Sequence, residues 1–136
     1  MDAGPKELNA DLLSALPDTG PVVMINQLKF KARSDDGDGS GWDAYQRYSR
    51  GVSPLIKALG GTILWAGEVE TTAYGDPAAN HWDYAVLVRY PSRAAFLEMV
   101  TSQAYAAANI HRDNGVAEHL ILASRETFSR FPAPAA

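Results

Sequence analysis

From Val22 to Phe30 the hydrophobic positions recur with a period of two. Val22, Met24, Asn26, Leu28 and Phe30 share one face, while Gln27, Lys29 and Lys31 fall on the other with Val23 and Ile25. Side chains alternate across a strand, so this stretch predicts a first strand with one apolar face. Upstream, Leu8, Leu12 and Leu16 at helical spacing predict a short helix over 5–16, stopped by Pro17-Asp18-Thr19-Gly20-Pro21. Downstream, Trp42, Tyr45, Ser49, Val52, Ile56 and Leu59 step by three and four and predict a second helix. Pro54 lacks an N–H and predicts a kink or break near Gly51, while Gly60-Gly61 suits a left-handed helix end. Thr62 to Thr72 reads as strand two, with Ile63, Trp65, Gly67 and Val69 on one face. Strand three follows from Trp82 to Tyr90. Ser92 is a good cap for a helix through Val100, and an alanine-rich helix then runs to about Asp113. A last strand is expected from Glu118 to about Phe128.

The order after the first helix is β-α-β-β-α-β. It predicts an α+β, ferredoxin-like protomer: an antiparallel sheet with both crossover helices on one face. Residues 1–20 form an N-terminal helical extension, 21–128 the ferredoxin-like unit and 129–136 a frayed tail. The second sheet face carries Val23 and Ile25, Leu64 and Ala66, or Ala85 and Leu87, too apolar to leave wet. Pairing of two copies through that face, as a homodimer, is the expected solution.

Composition changes this picture mainly by exclusion. The 136 residues suit one domain, and 46% hydrophobic against 21% charged residues allow a buried core. A net charge of -4 without a basic stripe argues against a nucleic-acid partner. The absence of cysteine excludes disulfides, zinc–thiolate sites, iron–sulfur clusters and cysteine nucleophiles. No apolar run is long enough to span a bilayer, and Met1–Lys6 does not resemble a secretory signal, so a cytoplasmic protein with no membrane partner is expected.

Asp36-Gly-Asp38-Gly-Ser40-Gly41 resembles the first half of a calcium loop, but the position that needs a bidentate Glu holds Arg47. His81, His111 and His119 show no metal-ligand spacing, so no metal site is expected. No nucleophile elbow, phosphate loop or dinucleotide fingerprint is present, and no cofactor is expected. Other features do point to a site. Asn26 sits on the apolar face of strand one, where an amide must bond to structure or to a ligand. Tyr45, Tyr48, Trp65, Trp82 and Tyr90 offer aromatic surface with polar tips, either core packing or the walls of a pocket. His111 and Arg112 follow the alanine run and suit a proton carrier and an anion anchor, or else a surface pair at a helix end.

Val22-Val-Met-Ile-Asn26-Gln-Leu28-Lys-Phe30, Gly60-Gly61, Trp82-Asp83, Tyr90-Pro-Ser-Arg-Ala-Ala-Phe96-Leu-Glu-Met99, Tyr105 and His111-Arg112 resemble the uncharacterised domain-of-unknown-function family thirteen-thirty. The resemblance implies membership of the dimeric α/β-barrel superfamily, with a pocket between sheet and helices. Within that frame the expected protein is a homodimer that binds an unidentified small molecule. It would include the case of a cofactor-independent enzyme acting on a small carbonyl or aromatic compound. Asn26 would hold a substrate oxygen, Tyr48 or His111 would move a proton, Arg112 would anchor an anionic group, and Tyr45, Tyr90, Trp65 and Trp82 would contribute walls. A non-catalytic homodimeric interaction module and a heme-binding protein using His111 are the alternatives.

Overall fold

The computed structural model describes residues 6–18 and 20–133. Its elements run in the order α1 (Ala10–Ser14), β1 (Val22–Phe30), α2 (Gly41–Ala58), β2 (Thr62–Glu68), β3 (Tyr84–Tyr90), α3 (Arg93–Val100), α4 (Gln103–Gly115) and β4 (Val116–Ser124). The strands form one sheet in the order β2-β3-β1-β4, and every neighbouring pair is antiparallel. This is the expected α+β, ferredoxin-like arrangement. Helices α2 and α4 lie side by side over one sheet face. Between them and the sheet sits a core containing Met24, Leu28, Val86, Val88, Tyr48, Val52, Ile56 and Tyr105.

Helix α2 begins where a reciprocal capping box closes: the Asp43 amide donates to the Ser40 hydroxyl, and the Ser40 amide donates to the Asp43 carboxylate. It does not break at Gly51. Pro54 costs the helix one hydrogen bond, to the Arg50 carbonyl, but both residues are on the exposed side, where water serves that carbonyl. The helix ends as the glycine pair predicts, with Gly60 at φ 80° and the Gly61 amide donating to the Ile56 carbonyl at 2.8 Å. The start of α2 meets the end of α4 at a contact that only glycine permits. A Cβ on Gly115 would lie 2.5 Å from the Gly41 carbonyl oxygen and 2.6 Å from the Ala44 Cβ.

The expected boundaries shift where a local irregularity breaks the pattern. A register shift between Ile63 and Trp65 places Ile63 and Ala66 opposite Val88 and Val86, and Trp65 opposite Leu87. Ile63 and Ala66 therefore face the helices and Trp65 the other side, so the single face expected for Ile63, Trp65, Gly67 and Val69 is divided. Strand β3 starts at Tyr84 rather than Trp82, and β4 begins directly after α4 and ends at Ser124. Helix α1 spans only five residues. Leu8, Leu12 and Leu16 stay exposed, and Leu13 alone of this segment packs on the core.

Polar ties hold the N-terminal segment instead. Lys6 Nζ donates to the carbonyls of Asp113 at 3.0 Å and Val116 at 2.8 Å, and the guanidinium groups of Arg112 and Arg93 donate to the Lys6 and Leu13 carbonyls. The other end of the chain is tied as well, because Arg89 donates to the Pro132 carbonyl at 3.0 Å and meets Glu126 at 3.6 Å. The described part of the tail thus returns to the helix-free sheet face rather than fraying. That face still exposes Trp65 by 49%, Leu120 by 40% and Leu122 by 50%. Among the described residues no helix is long and apolar enough to cross a membrane.

Candidate functional site

A cavity of about 90 Å³ opens between α2 and the sheet. β1 contributes Asn26, β3 contributes Tyr84, Val86, Val88 and Tyr90, and β4 contributes His119. α2 contributes Tyr45, Tyr48, Ser49, Val52 and Ile56, and the exposed edge strand β2 contributes Ile63 and Ala66. Such a volume is about that of three liquid water molecules, and well below the roughly 150 Å³ cavity known to admit a benzene ring. An aromatic ligand is therefore too large unless the walls move. A short carbonyl compound is not.

The polar floor of the cavity is a chain of hydrogen bonds across three elements. Arg112 Nη1 on α4 donates to His119 Nδ1 at 3.1 Å, and His119 Nε2 lies 2.8 Å from Asn26 Oδ1. A guanidinium can only donate, so Nδ1 accepts and the imidazole proton sits on Nε2, aimed at Asn26. Asn26 Nδ2 then donates to the Met24 and Val86 carbonyls at 3.1 and 3.2 Å, which also settles which end of the amide faces His119. Burial, reinforced by the adjacent Arg112 charge, pushes the His119 pKa down to about 3. The imidazole is neutral throughout the physiological range.

The tyrosines are neutral too. Burial pushes the Tyr45, Tyr48 and Tyr90 hydroxyls well above the ordinary phenol value, and neighbouring tyrosines add to the effect. The Tyr48 and Tyr105 hydroxyls share a hydrogen bond of 3.0 Å. No hydrogen bond among the described residues uses the hydroxyls of Tyr45, Tyr84 or Tyr90, leaving three phenols available to a guest. Tyr45 and Tyr84 also pack with Phe30 and Trp42 in an aromatic cluster with ring centroids 5.1–6.0 Å apart.

Of the residues expected to form a site, Asn26, Tyr45, Tyr48 and Tyr90 line this one cavity. Arg112 does not line it but stands directly behind His119. There it also donates to Asn109 Oδ1 at 2.6 Å and to the Lys6 carbonyl at 3.2 Å, so four of its five donors are committed to the protein. His111 lies outside the cavity with its Nδ1 buried and unpartnered, close enough to Asp36 to influence that carboxylate. Trp65 is on the opposite sheet face, and Trp82 stacks on His81 at 4.6 Å in the segment before β3. His111, the residue expected to hold a heme, does not line the cavity. In the calcium-like loop, Arg47 donates to the Asp38 carbonyl at 2.9 Å and stands 3.9 Å from the Asp36 and Asp38 carboxylates. The arginine takes the place a cation would need. No group of three or more acidic or imidazole side chains among the described residues is placed to hold a metal.

His119, Tyr84 and Ser49 are the polar lining residues the sequence did not nominate. Tyr84 alternates with Val86, Val88 and Tyr90 along β3 and shares their face. His119 has a weaker signal, because its partner across the sheet is Leu28, and that register depends on an irregularity between Lys29 and Phe30.

The family model described as a domain of unknown function (DUF1330) matches residues 40–125. No curated protein matches the chain. Among solved structures, the protein of unknown function RPA0582 from Rhodopseudomonas palustris is 28% identical, with a TM-score of 0.81 over 94% of this chain and 100% of its own. At3g17210 from Arabidopsis thaliana is 13% identical, with a TM-score of 0.55 over 79% of this chain and 97% of its own. A Bacteroides fragilis protein described as dimeric, with a ferredoxin-like fold, is 11% identical, with a TM-score of 0.52 over 78% of this chain and 96% of its own. The last two share the fold alone.

Proposed function

The chain belongs to the family of domains of unknown function DUF1330, a description that names no reaction, and from its own cavity we propose that it binds a small uncharged carbonyl compound. The observation that carries this reading is that every cavity group with a shifted pKa is held neutral: Tyr45, Tyr48 and Tyr90 as phenols and His119 as the Nε2–H imidazole. An ionic guest would leave water for a site whose nearest cation, Arg112, is already committed, and an unpaired buried charge costs several kcal/mol. A carbonyl oxygen suits the site because it accepts from a phenol, and a hydroxyl or amide on the same guest can donate to the spare lone pair of Asn26 Oδ1. Abstraction of a proton from the guest needs a free basic lone pair; that of the neutral His119 is on Nδ1, which accepts from Arg112, and the buried phenols stay protonated near neutral pH. Binding without turnover is the reading these groups favour.

The test is the melting temperature with a panel of acetone, butanone and acetamide, against acetate as the anionic control. The neutral compounds are expected to raise it and acetate is not. At a concentration a hundred times the Kd the stabilisation is about 2.7 kcal/mol. Tyr45→Phe, Tyr84→Phe and Tyr90→Phe together, which remove the three free hydroxyls and little volume, should abolish the shift. An equal shift with acetate, or one that survives the triple substitution, would rule the reading out.

The assembly proposed here is a homodimer paired through the helix-free sheet face. Exposed Trp65, Leu120 and Leu122 on that face support it, as does the dimeric description of the Bacteroides fragilis protein. Sedimentation velocity should give twice the chain mass for the native protein and the single mass for Leu122→Arg. A native protein that sediments as a monomer removes the proposal.

A further inference from the structure

A second cavity, of about 290 Å³, lies away from the first, where the N-terminal segment crosses the start of β1, the end of β4 and the start of α3. Its size falls near the lower end of the range for small-molecule sites, roughly 300 Å³ upward. Arg93 and Arg125 are its charged walls, and Leu16, Pro17, Pro21 and Val22 give it an apolar side. No carboxylate of the described residues lines it.

Arg93 is the unusual member. It is only 9% exposed, and among the described residues it has no ion pair. Nη1 donates to the Leu13 carbonyl, but Nε is buried with no partner among the described residues. Nη2 also has no hydrogen bond among the described residues. The Nε–Nη2 edge is the side of a guanidinium that grips a carboxylate with two parallel bonds. Buried donors are ordinarily satisfied, and leaving one idle costs about 1–3 kcal/mol. The nearby Asp18 carboxylate does not serve the guanidinium: its Oδ1 accepts from the Arg93 backbone amide at 3.3 Å, at the first turn of α3.

We propose that this cavity binds a small organic acid, its carboxylate on the Arg93 and Arg125 guanidinium groups and its apolar body along Leu16, Pro17, Pro21 and Val22. The charge preference is the reverse of that proposed for the first cavity, because here two arginines line a volume to which no described residue brings a carboxylate. The apolar side distinguishes the guest from an inorganic anion, which would gain nothing from it.

The test uses the full chain, labelled with ¹⁵N, and three probes: hexanoate, hexan-1-ol and inorganic phosphate. Hexanoate is expected to bind saturably by calorimetry and to shift the Arg93 Nε–H resonance, identified by its absence in Arg93→Lys. Hexan-1-ol, with the same body and no charge, should do neither. Arg125→Gln should weaken hexanoate about tenfold, the loss expected for one charge-assisted bond. Tyr45→Phe, in the first cavity, should leave hexanoate binding unchanged. If Arg93→Lys fails to fold, the resonance is assigned by through-bond correlation to the Arg93 backbone and Arg125→Gln carries the mutational arm. Absence of saturation, equal binding of hexan-1-ol, or a resonance moved by phosphate but not by hexanoate each overturns the proposal.

Discussion

Arg112 and Arg93 both reach from a helix to a carbonyl of the N-terminal segment, yet they end in opposite electrostatic states. The Arg112 guanidinium donates to Lys6, Asn109 and His119. Arg93 has one backbone carbonyl and a buried idle Nε. The contrast teaches how an arginine can be structural or available in the same fold. A guanidinium with most of its donors engaged organises its neighbours, here by choosing the His119 tautomer and adding to the burial that keeps that ring neutral. An unsaturated one is a recognition edge waiting for an acceptor.

The largest expected effect comes from breaking the saturated member. Arg112→Met leaves His119 Nδ1 and the Lys6 carbonyl without their donor. With charge-assisted bonds worth about 1.5–3 kcal/mol each, the loss should be about 3 kcal/mol or more in urea unfolding. It should also free the imidazole to take either tautomer, visible in the ¹⁵N shifts of His119. An unchanged Nε2–H tautomer would mean that Asn26, not Arg112, selects it.

The pH dependence of stability sharpens the same contrast from the His119 side. Its folded pKa of about 3 lies below the ordinary imidazole value of 6.5, so the unfolded chain binds the proton more readily. The resulting stability is fully present above about pH 6.5 and is lost as pH falls toward 3, at up to about 1.4 kcal/mol per pH unit. His119→Gln should lack that slope between pH 6 and 4. Carboxylates such as Asp36, held low by bonds from the Ser34 hydroxyl and the Asp38 amide, are common to both proteins and cancel in the difference. Equal slopes for the two proteins would place the charge-sensitive group elsewhere.

The sequence makes regular elements legible and single-residue irregularities illegible. β1 matches its alternation from Val22 to Phe30, and Gly60 ends α2 as its position predicts, because each signal is local and repeated. Pro54 suggests a break that never forms, since whether a lost backbone bond matters depends on solvent exposure. Trp65 changes face through one bulged residue, which no periodicity shows. Asn26 could be found because a polar residue on an apolar face stands out against its own strand. The pairing that completes the cavity floor, His119 with Asn26, spans 93 positions and depends on register. Arg93 was equally hidden: in the chain it is merely the first residue after a helix cap, and only the fold buries it.

The smallest effect should come from the unsaturated arginine. Arg93→Met gives up one bond to the Leu13 carbonyl, but it also removes a buried donor that had no partner, and the methionine stem keeps most of the packing. The two changes oppose each other, so the net cost in urea unfolding should be about 1 kcal/mol or less. The same measurement in saturating hexanoate should widen the gap, because only the native protein then gains ligand stabilisation. A cost equal to that of Arg112→Met without any ligand would show that Arg93 is already satisfied in solution, and the contrast between the two arginines would disappear.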